Sequence, residues 1–459
     1  MNGVTATVAQ DIIASSESRV VVGLGVTGLS CARYLYRRGL PFSVVDTRTH
    51  PPGLEELRRE MPEVPVYAGL FPTDLLSGAG ELVVSPGLAL DDHLLTAPRE
   101  AGVPIVGDID LFVREATAPV IGITGSNAKS TVTELVGQMA RDAGLDTGVG
   151  GNLGTPALDL LAPERELYVL ELSSFQLERA GQLDLAVAAV LNVSADHLDR
   201  HGSLAAYHQA KHRIFRGCRS VVVNRDDPLT VPLVADAVRV IEWRMGEPEL
   251  DGLGLREVEG REHLCHGFDA LLPVAELGLV GRHNVGNALA ALAIGYAAGL
   301  ELSRMVETLR TFRGLPHRCQ PVAEVGGVRY VDDSKGTNVG ATEAALAGLG
   351  GQRDIVLIAG GQGKGADFGP LRGPVSRHCR AVVLIGEDAP ALRRALDGAA
   401  PVLDADSMDG AVRVAAGKAR PGDCVLLSPA CASFDMFSGY VERGRAFCRA
   451  VEQLAEGVS

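Results

Sequence analysis

The sequence predicts an α/β protein of three domains in series, each built on a mainly parallel sheet. Three observations carry this reading. Short runs rich in Val, Ile and Leu alternate with longer helix-period stretches over most of the chain, the pattern of parallel strands joined by helical crossovers. The length of 459 residues corresponds to about three domains at roughly 150 residues each. Fifty-five glycines, against only 4% aromatic residues, suit many tight strand-to-helix turns and small-residue helices.

The first unit opens with a strand at Arg19-Val20-Val21-Val22, turns at Gly23 and continues as a helix to about Arg38. A second strand, Phe42 to Val45, ends in Asp46. Strands at Leu82-Val83-Val84 and Pro104-Ile105-Val106 follow, closing a nucleotide-binding-sized domain near Gly107. A second series starts at Pro119 to Ile123, with later strands at Leu167 to Glu171, Leu185 to Asn192 and Ser220 to Asn224. The mixed-polarity stretch from Trp243 to Leu279 reads as short antiparallel strands. Helices from Asn287 to Leu300 and from Ser303 to Arg313 then lead to Gly314-Leu315-Pro316, whose composition marks a hinge. The last third repeats the rhythm with strands at Val328 to Val331, Asp354 to Ile358, Ala381 to Ile385 and Cys424 to Leu427.

Composition excludes several classes. With 46% hydrophobic and 22% charged residues, wholesale disorder is ruled out. Lys plus Arg total 43 against 57 Asp plus Glu, and this net charge of −14 argues against generic binding to nucleic acid or anionic membranes. The eight cysteines include no C-x-x-C pair, as expected of a reduced, intracellular protein. The N-terminus has no basic region followed by an apolar core, so no secretory signal is read there. The most apolar stretch, Ala288 to Leu300, is too short and Ala-rich for a membrane span. A cytoplasmic protein is the expectation.

Two loops carry the chemistry. Gly23-Leu24-Gly25-Val26-Thr27-Gly28 fits G-x-G-x-x-G between a strand and a helix, with Asp46 ending the next strand. Glycines admit a pyrophosphate to the backbone, the helix start donates amides, and the acid can bond a ribose hydroxyl. Taken alone, this motif suggests a dinucleotide dehydrogenase. The second loop, Gly122 to Thr131, also lies between strand and helix. Its backbone amides can cradle phosphate, Lys129 can neutralise the β- and γ-phosphates, and Ser130 offers a hydroxyl to Mg²⁺. Ala128 stands where glycine normally precedes the lysine; alanine permits a right-handed conformation but no easy positive φ. Glu171 ends an apolar strand, where a phosphate-loop NTPase places an acid on its metal. His197 and His201, like His208 and His212, have an i, i+4 spacing that could suggest zinc. Neither pair carries H-E-x-x-H or a nearby cysteine, so packing is the better reading for all but His197.

In combination, Thr124 to Ser130, Glu171 to Ser174, Asn192 to Asp199, His283 to Asn287, Pro316-His317-Arg318 and Asp332 to Asn338 resemble the ATP-dependent Mur ligases of peptidoglycan synthesis. The resemblance runs in order along nearly the whole chain. Gly150-Gly151-Asn152, Ser173 to Leu177, Gly360 to Phe368 and Leu427 to Asp435 look most like the branch that adds D-glutamate. It implies a Rossmann-like domain over 1–107, a central P-loop ATPase-like domain over 108–314 and a Rossmann-like C-terminal domain over 315–459. The implied substrates are UDP-N-acetylmuramoyl-L-alanine, D-glutamate and ATP, joined through an acyl phosphate.

The resemblance also implies roles for individual residues. Lys129, Glu171, His197 and Lys211 would be catalytic. Gly125, Ser126, Asn127, Ala128, Lys129, Ser130, Thr131, Asn287, Arg318, Asp333 and Lys335 would hold ATP. Two Mg²⁺ ions would use Ser130, Glu171, His197 and Lys211, the last carbamylated by CO₂; without the resemblance, Lys211 is simply a helix-surface lysine. Val26, Thr27, Asp46, Thr47, Arg48, Ser85, Gly87, Asn152, Ser173 and Gln176 would meet the UDP substrate, so the first motif would grip uridine and not NAD. Thr337, Lys364, Ser433 and Phe434 would bind D-glutamate, with Phe434 replacing a leucine common in this branch. A monomer acting on small molecules, without nucleic acid or membrane insertion, is expected. Against this stand a dehydrogenase, which needs no second ATP-type loop, and a nucleotide-sensing module, which needs no two metal sites.

Overall fold

The computed structural model describes residues 18–89 and 92–458; the first residues, where no secretory signal is read, lie outside this range. Three sheets follow one another along the chain. The first has five parallel strands in the order Val66–Ala68, Phe42–Asp46, Arg19–Val22, Glu81–Val84, Ile105–Val106. Strand order reverses between Arg19–Val22 and Glu81–Val84, and the crevice at the carboxyl ends of such a pair is where open α/β sheets bind ligands. The glycine-rich loop lies there. An added Cβ on Gly28 would sit 1.8 Å from the Gly23 carbonyl oxygen, so only glycine lets the helix Val26–Arg37 start this close to its strand.

The second sheet has nine strands. Val120–Thr124 lies between Leu167–Glu171 and Val187–Val190, with Thr147–Gly151 at one edge. Beyond Ser220–Asn224 and Arg239–Trp243 come three antiparallel strands, Leu253–Val258, Arg261–His266 and Asp269–Pro273, as the mixed polarity of that stretch predicts. In the third sheet, Gln320–Val325 runs antiparallel to Val328–Asp332, which continues into four further parallel strands. A continuous apolar core joins the first two domains. In it the Phe112 ring meets Tyr168 edge-on at 5.0 Å, both fully buried.

Some expectations need correction. The helix read from Asn287 to Leu300 spans Arg282–Ala297, so His283, Asn284 and Asn287 lie within it. The break comes earlier because Gly281 takes φ +101°. The strands Val66–Ala68, Thr147–Gly151, Arg239–Trp243, Gln320–Val325 and Val402–Asp404 escape the sequence reading. Among the described residues, no helix is long and apolar enough to cross a membrane.

Candidate active site

Register places the central chemistry. Ile123 pairs with Glu171 across neighbouring parallel strands, so the phosphate loop and the carboxylate emerge side by side from one end of the sheet. The loop is not free to splay. Ser126 donates its amide to the Asn192 carbonyl (3.0 Å) and Asn127 its amide to Asn192 Oδ1 (2.8 Å), while Ser126 Oγ is held by Ser194 and Tyr207. Both of those amides are engaged within the protein, and the first turn of the helix Lys129–Asp142 adds further amides at the end of the loop. Lys129 Nζ folds over the loop mouth, donating to the carbonyls of Gly125 (2.8 Å) and Ser126 (2.9 Å). Burial pulls its ammonium below the usual lysine value, against the opposing pull of Glu171 and Asp196.

Ala128 departs from expectation. It adopts φ +66°, ψ −6°, the left-handed conformation that alanine takes reluctantly. The loop imposes the glycine geometry on a residue with a Cβ. Restoring glycine (Ala128→Gly) is therefore expected to stabilise the protein by up to about 1 kcal/mol, the relieved strain exceeding the added unfolded-state entropy. A rise in the denaturant midpoint, with the slope and the ATP KM unchanged, is the outcome to look for.

Glu171 is buried, with only 3% of its surface exposed. One oxygen accepts from Asn152 Nδ2 at 2.7 Å; the other, Oε2, is buried without a hydrogen-bond partner. An orphaned carboxylate oxygen beside a phosphate loop fits a hard cation, which is the role Mg²⁺ would have here. Among the described residues no group of three or more His, Cys, Asp or Glu gathers as a metal cage. A single carboxylate plus phosphate oxygens is the usual way Mg²⁺ is held.

Lys211 is not a surface lysine. On the helix Leu204–His212 it is 1% exposed, with Nζ 2.7 Å from the Gly125 carbonyl and 4.4 Å from the centre of the Tyr207 ring. Burial, and then the charge of Lys129, push its ammonium well below the ordinary lysine value. His197 is half-buried at φ +52°, packed edge-on against Phe175 at 4.9 Å; burial lowers its pKa, and the charges of Lys364 and Lys129 add to this. The other histidines pack locally: His208 and His212 both meet the Leu229 carbonyl, and His201 meets Ser174 Oγ.

A cavity of about 390 Å³ opens beside the loop, between the second and third domains. Asn127, Ala128, Thr131, Asn287, Arg318, Asp333 and Lys335 line it, with Trp243, Met245 and Leu191 adding an apolar floor, while Gly125, Ser126, Lys129 and Ser130 lie outside the lining. Arg318 donates to Ser130 Oγ at 2.6 Å, engaging the hydroxyl assigned to Mg²⁺. Asp333 accepts from Ser428 Oγ at 2.7 Å, and burial raises its carboxyl to about 7. Lys335 lies 4.0 Å above the Tyr440 ring, with burial lowering its ammonium to about 8. From the third domain Lys364, at φ +52°, stands 5.8 Å over the exposed Phe434 ring; Ser433, its neighbour in the chain, is buried, and Thr337 is half-buried.

A second cleft of about 230 Å³ collects Asp46, Thr47, Arg48, Ser85 and Gly87 with Gly23 and Phe71. Asp46 is already committed: Oδ2 accepts from the Leu24 amide and Arg48 Nη2, and Oδ1 from the Arg48 amide and Nε. These bonds tie it to the glycine-rich loop and to Arg48. Val26 and Thr27, at the start of the helix Val26–Arg37, lie outside this lining, with Val26 73% exposed. Ser173 and Gln176 bond each other as a helix cap, and Gln176 Nε2 reaches Asp108 at 2.8 Å. The sequence reading assigned no role to Asn192, Asp196, Tyr207 or Asn338. Asn338 Nδ2 ties the third domain to Asn127 (3.2 Å) and Asp196 (3.0 Å). Asn192, Asp196 and Asn338 lie within the quoted motifs and Tyr207 one helical turn before Lys211, but only the fold reveals their partners.

Comparison with known proteins gives matches along the chain. Residues 17–107 match the N-terminal domain described as Mur ligase MurD-like, residues 123–295 the Mur ligase middle domain and residues 317–431 the Mur ligase glutamate ligase domain. The UDP-N-acetylmuramoylalanine--D-glutamate ligase of Pseudomonas aeruginosa is 58% identical over 446 residues, covering 97% of this chain and all of that protein. The protein of the same name from Marinobacter nauticus is 51% identical, covering 96% and 100%. In fold, the chain resembles a pseudomurein peptide ligase type C from Methanothermus fervidus (TM-score 0.59, 17% identity, 95% and 100% covered). It also resembles the UDP-N-acetylmuramate-alanine ligase of Thermotoga maritima (TM-score 0.58, 18% identity, 95% and 99% covered).

Proposed function

The chain belongs to the Mur ligase family, and on that premise we infer that it joins D-glutamate to UDP-N-acetylmuramoyl-L-alanine with consumption of ATP, in peptidoglycan precursor synthesis. The observation that carries the chemistry is the buried, unpartnered Glu171 Oε2 beside Lys129 and the phosphate loop.

A carboxylate is a poor acyl donor. Its attack on the γ-phosphorus of ATP, expelling ADP, converts it to an acyl phosphate; the amine of D-glutamate then adds to the acyl carbon, and phosphate leaves from the tetrahedral intermediate. Both stages bring anions together, so cations must lie between them. Lys129, at the loop mouth, is placed to neutralise the transferred phosphoryl group. Asn287, Arg318, Asp333 and Lys335 hold the nucleotide in the large cavity, while Lys364, Thr337, Ser433 and the Phe434 backbone receive D-glutamate. The uridine end occupies the cleft at Asp46 to Arg48 and Ser85 to Gly87, and Asn152 steadies Glu171 within reach of the muramoyl group.

Mg²⁺, when bound, supplies charge neutralisation at the phosphates. One ion would be held by Ser130 and Glu171, and a second by Glu171, His197 and Lys211 as its carbamate. Burial and the nearby charge of Lys129 both work against the ammonium form of Lys211, which supports the carbamate, since only a neutral amine adds to CO₂. The reading includes a monomer working in the cytoplasm on small molecules; the net charge of −14 speaks against nucleic acid as a partner.

The test is direct. Purified protein with ATP, Mg²⁺ and UDP-N-acetylmuramoyl-L-alanine should release phosphate when D-glutamate is added and not with other single amino acids. No release with any amino acid would overturn the reading.

A further inference from the structure

The segment that follows Glu171 links two domains. From Ser173 to Gly181 it is the surface on which the first domain rests. Gln176 reaches Asp108, and the Gly181 amide donates to Asp110 Oδ1 at 2.8 Å. Between them stands Arg179, whose side chain is wholly buried. It crosses the domain boundary to the turn that leaves the strand Glu81–Val84. Nη1 donates to the carbonyls of Val84 (3.0 Å) and Ser85 (2.9 Å), and Nη2 to that of Leu88 (2.6 Å). Nε returns to the Phe175 carbonyl at 3.2 Å, and the stem would lie 3.0 Å from a Cβ on Gly107.

A second arginine repeats the contact at the rim. Arg200 donates to the carbonyls of Gly87 (3.3 Å) and Leu88 (3.0 Å), and both arginines pair with Glu178. The turn they grip is one wall of the small cleft: Ser85, Gly87 and Leu88 line it, and the Ser85 side chain lies against Gly23 of the glycine-rich loop. A planar guanidinium can satisfy several carbonyls at fixed angles at once, which a flexible ammonium cannot.

We propose that Arg179, assisted by Arg200 and Glu178, is a positioning residue for the uridine end of the substrate: it sets the Ser85–Leu88 turn and fixes that cleft relative to Glu171 and the phosphate loop. This rests on the assignment of the small cleft to UDP made above. Arg179 touches neither the nucleotide cavity nor the D-glutamate residues, so its influence falls on one substrate of three.

Steady-state phosphate release by the full chain tests this. Arg179→Met removes the guanidinium's hydrogen bonds to Val84, Ser85 and Leu88, of which Leu88 keeps Arg200, and is expected to raise the KM for UDP-N-acetylmuramoyl-L-alanine about tenfold or more. The KM for ATP should stay within about twofold. Arg179→Lys should fall between, and Arg200→Met should act in the same direction but more weakly, the double variant losing less than the product because both arginines share Leu88 and Glu178. An unchanged KM for the UDP substrate, or a parallel rise in all three KM values, would overturn the proposal. Should Arg179→Met not fold, Arg179→Lys and Arg200→Met decide it by the same criterion. Should wild type show no turnover, the function fails separately, and the clamp is judged by calorimetric titration with UDP: about tenfold weaker binding is expected, and equal binding refutes it.

Discussion

Lys129→Ala is expected to abolish ATP consumption, lowering kcat by on the order of 10³-fold. The ammonium sits at the mouth of the loop because the left-handed Ala128 turns the chain sharply into the helix, leaving Lys129 in its first turn with Nζ over the Gly125 and Ser126 carbonyls. Those carbonyls hold the charge only provisionally: incoming phosphate oxygens offer a full negative charge in the same partly desolvated place. Without the lysine, the nucleotide still has Asn287, Arg318 and Lys335, so ATP binding should weaken far less than turnover. Stability should also change little, since the ammonium is penalised by burial and alanine is well tolerated near a helix start. ADP formation in the presence of the UDP substrate, with and without D-glutamate, reads the loss. Normal turnover in this variant would place the phosphoryl group elsewhere.

The main strands and both phosphate-type loops are legible in the sequence because buried parallel strands read as unbroken runs of Val, Ile and Leu, and Val120–Thr124, Leu167–Glu171 and Ser220–Asn224 are all fully buried. Thr147–Gly151 is missed for the converse reason. Three of its five residues are glycine, which has little strand propensity, and it is recruited by pairing along Leu167–Glu171. The helix beginning at Arg282 starts five residues before the sequence pattern places it because His283, Asn284 and Asn287 interrupt its apolar run; all three line the cavity beside the loop. Residue type points to Lys129, Glu171 and Arg318, but not to the state of each group. That Glu171 keeps one oxygen without a partner, that Asp46 has none to spare and that Lys211 is buried all depend on neighbours distant in sequence.

Lys211→Ala should be as damaging as loss of Lys129, on the order of 10³-fold in kcat, and it has a signature of its own: partial restoration by formate or acetate. An unmodified ammonium is poorly placed. It is buried beside Lys129, with one short hydrogen bond to the Gly125 carbonyl, a longer one to Thr124 Oγ1 and the Tyr207 ring beneath it. Burial and the neighbouring Lys129 both disfavour the charged ammonium, and the proposed modification is addition of the neutral amine to CO₂ with release of a proton, giving a carbamate anion. Carbamylation thereby changes the sign of the group from one repelled by Lys129 to one attracted by it, and gives the site a second carboxylate-like arm beside Glu171. Truncation to alanine removes that arm and opens a space bounded by Thr124, Gly125 and Tyr207, large enough in chemical terms for a small carboxylic acid. Lys211→Met removes the charge while filling the space, so it should be equally inactive but unresponsive to added acid. Rescue of the alanine variant alone identifies an anionic oxygen as the missing element; failure of rescue in a folded Lys211→Ala protein would return Lys211 to a role as a cation.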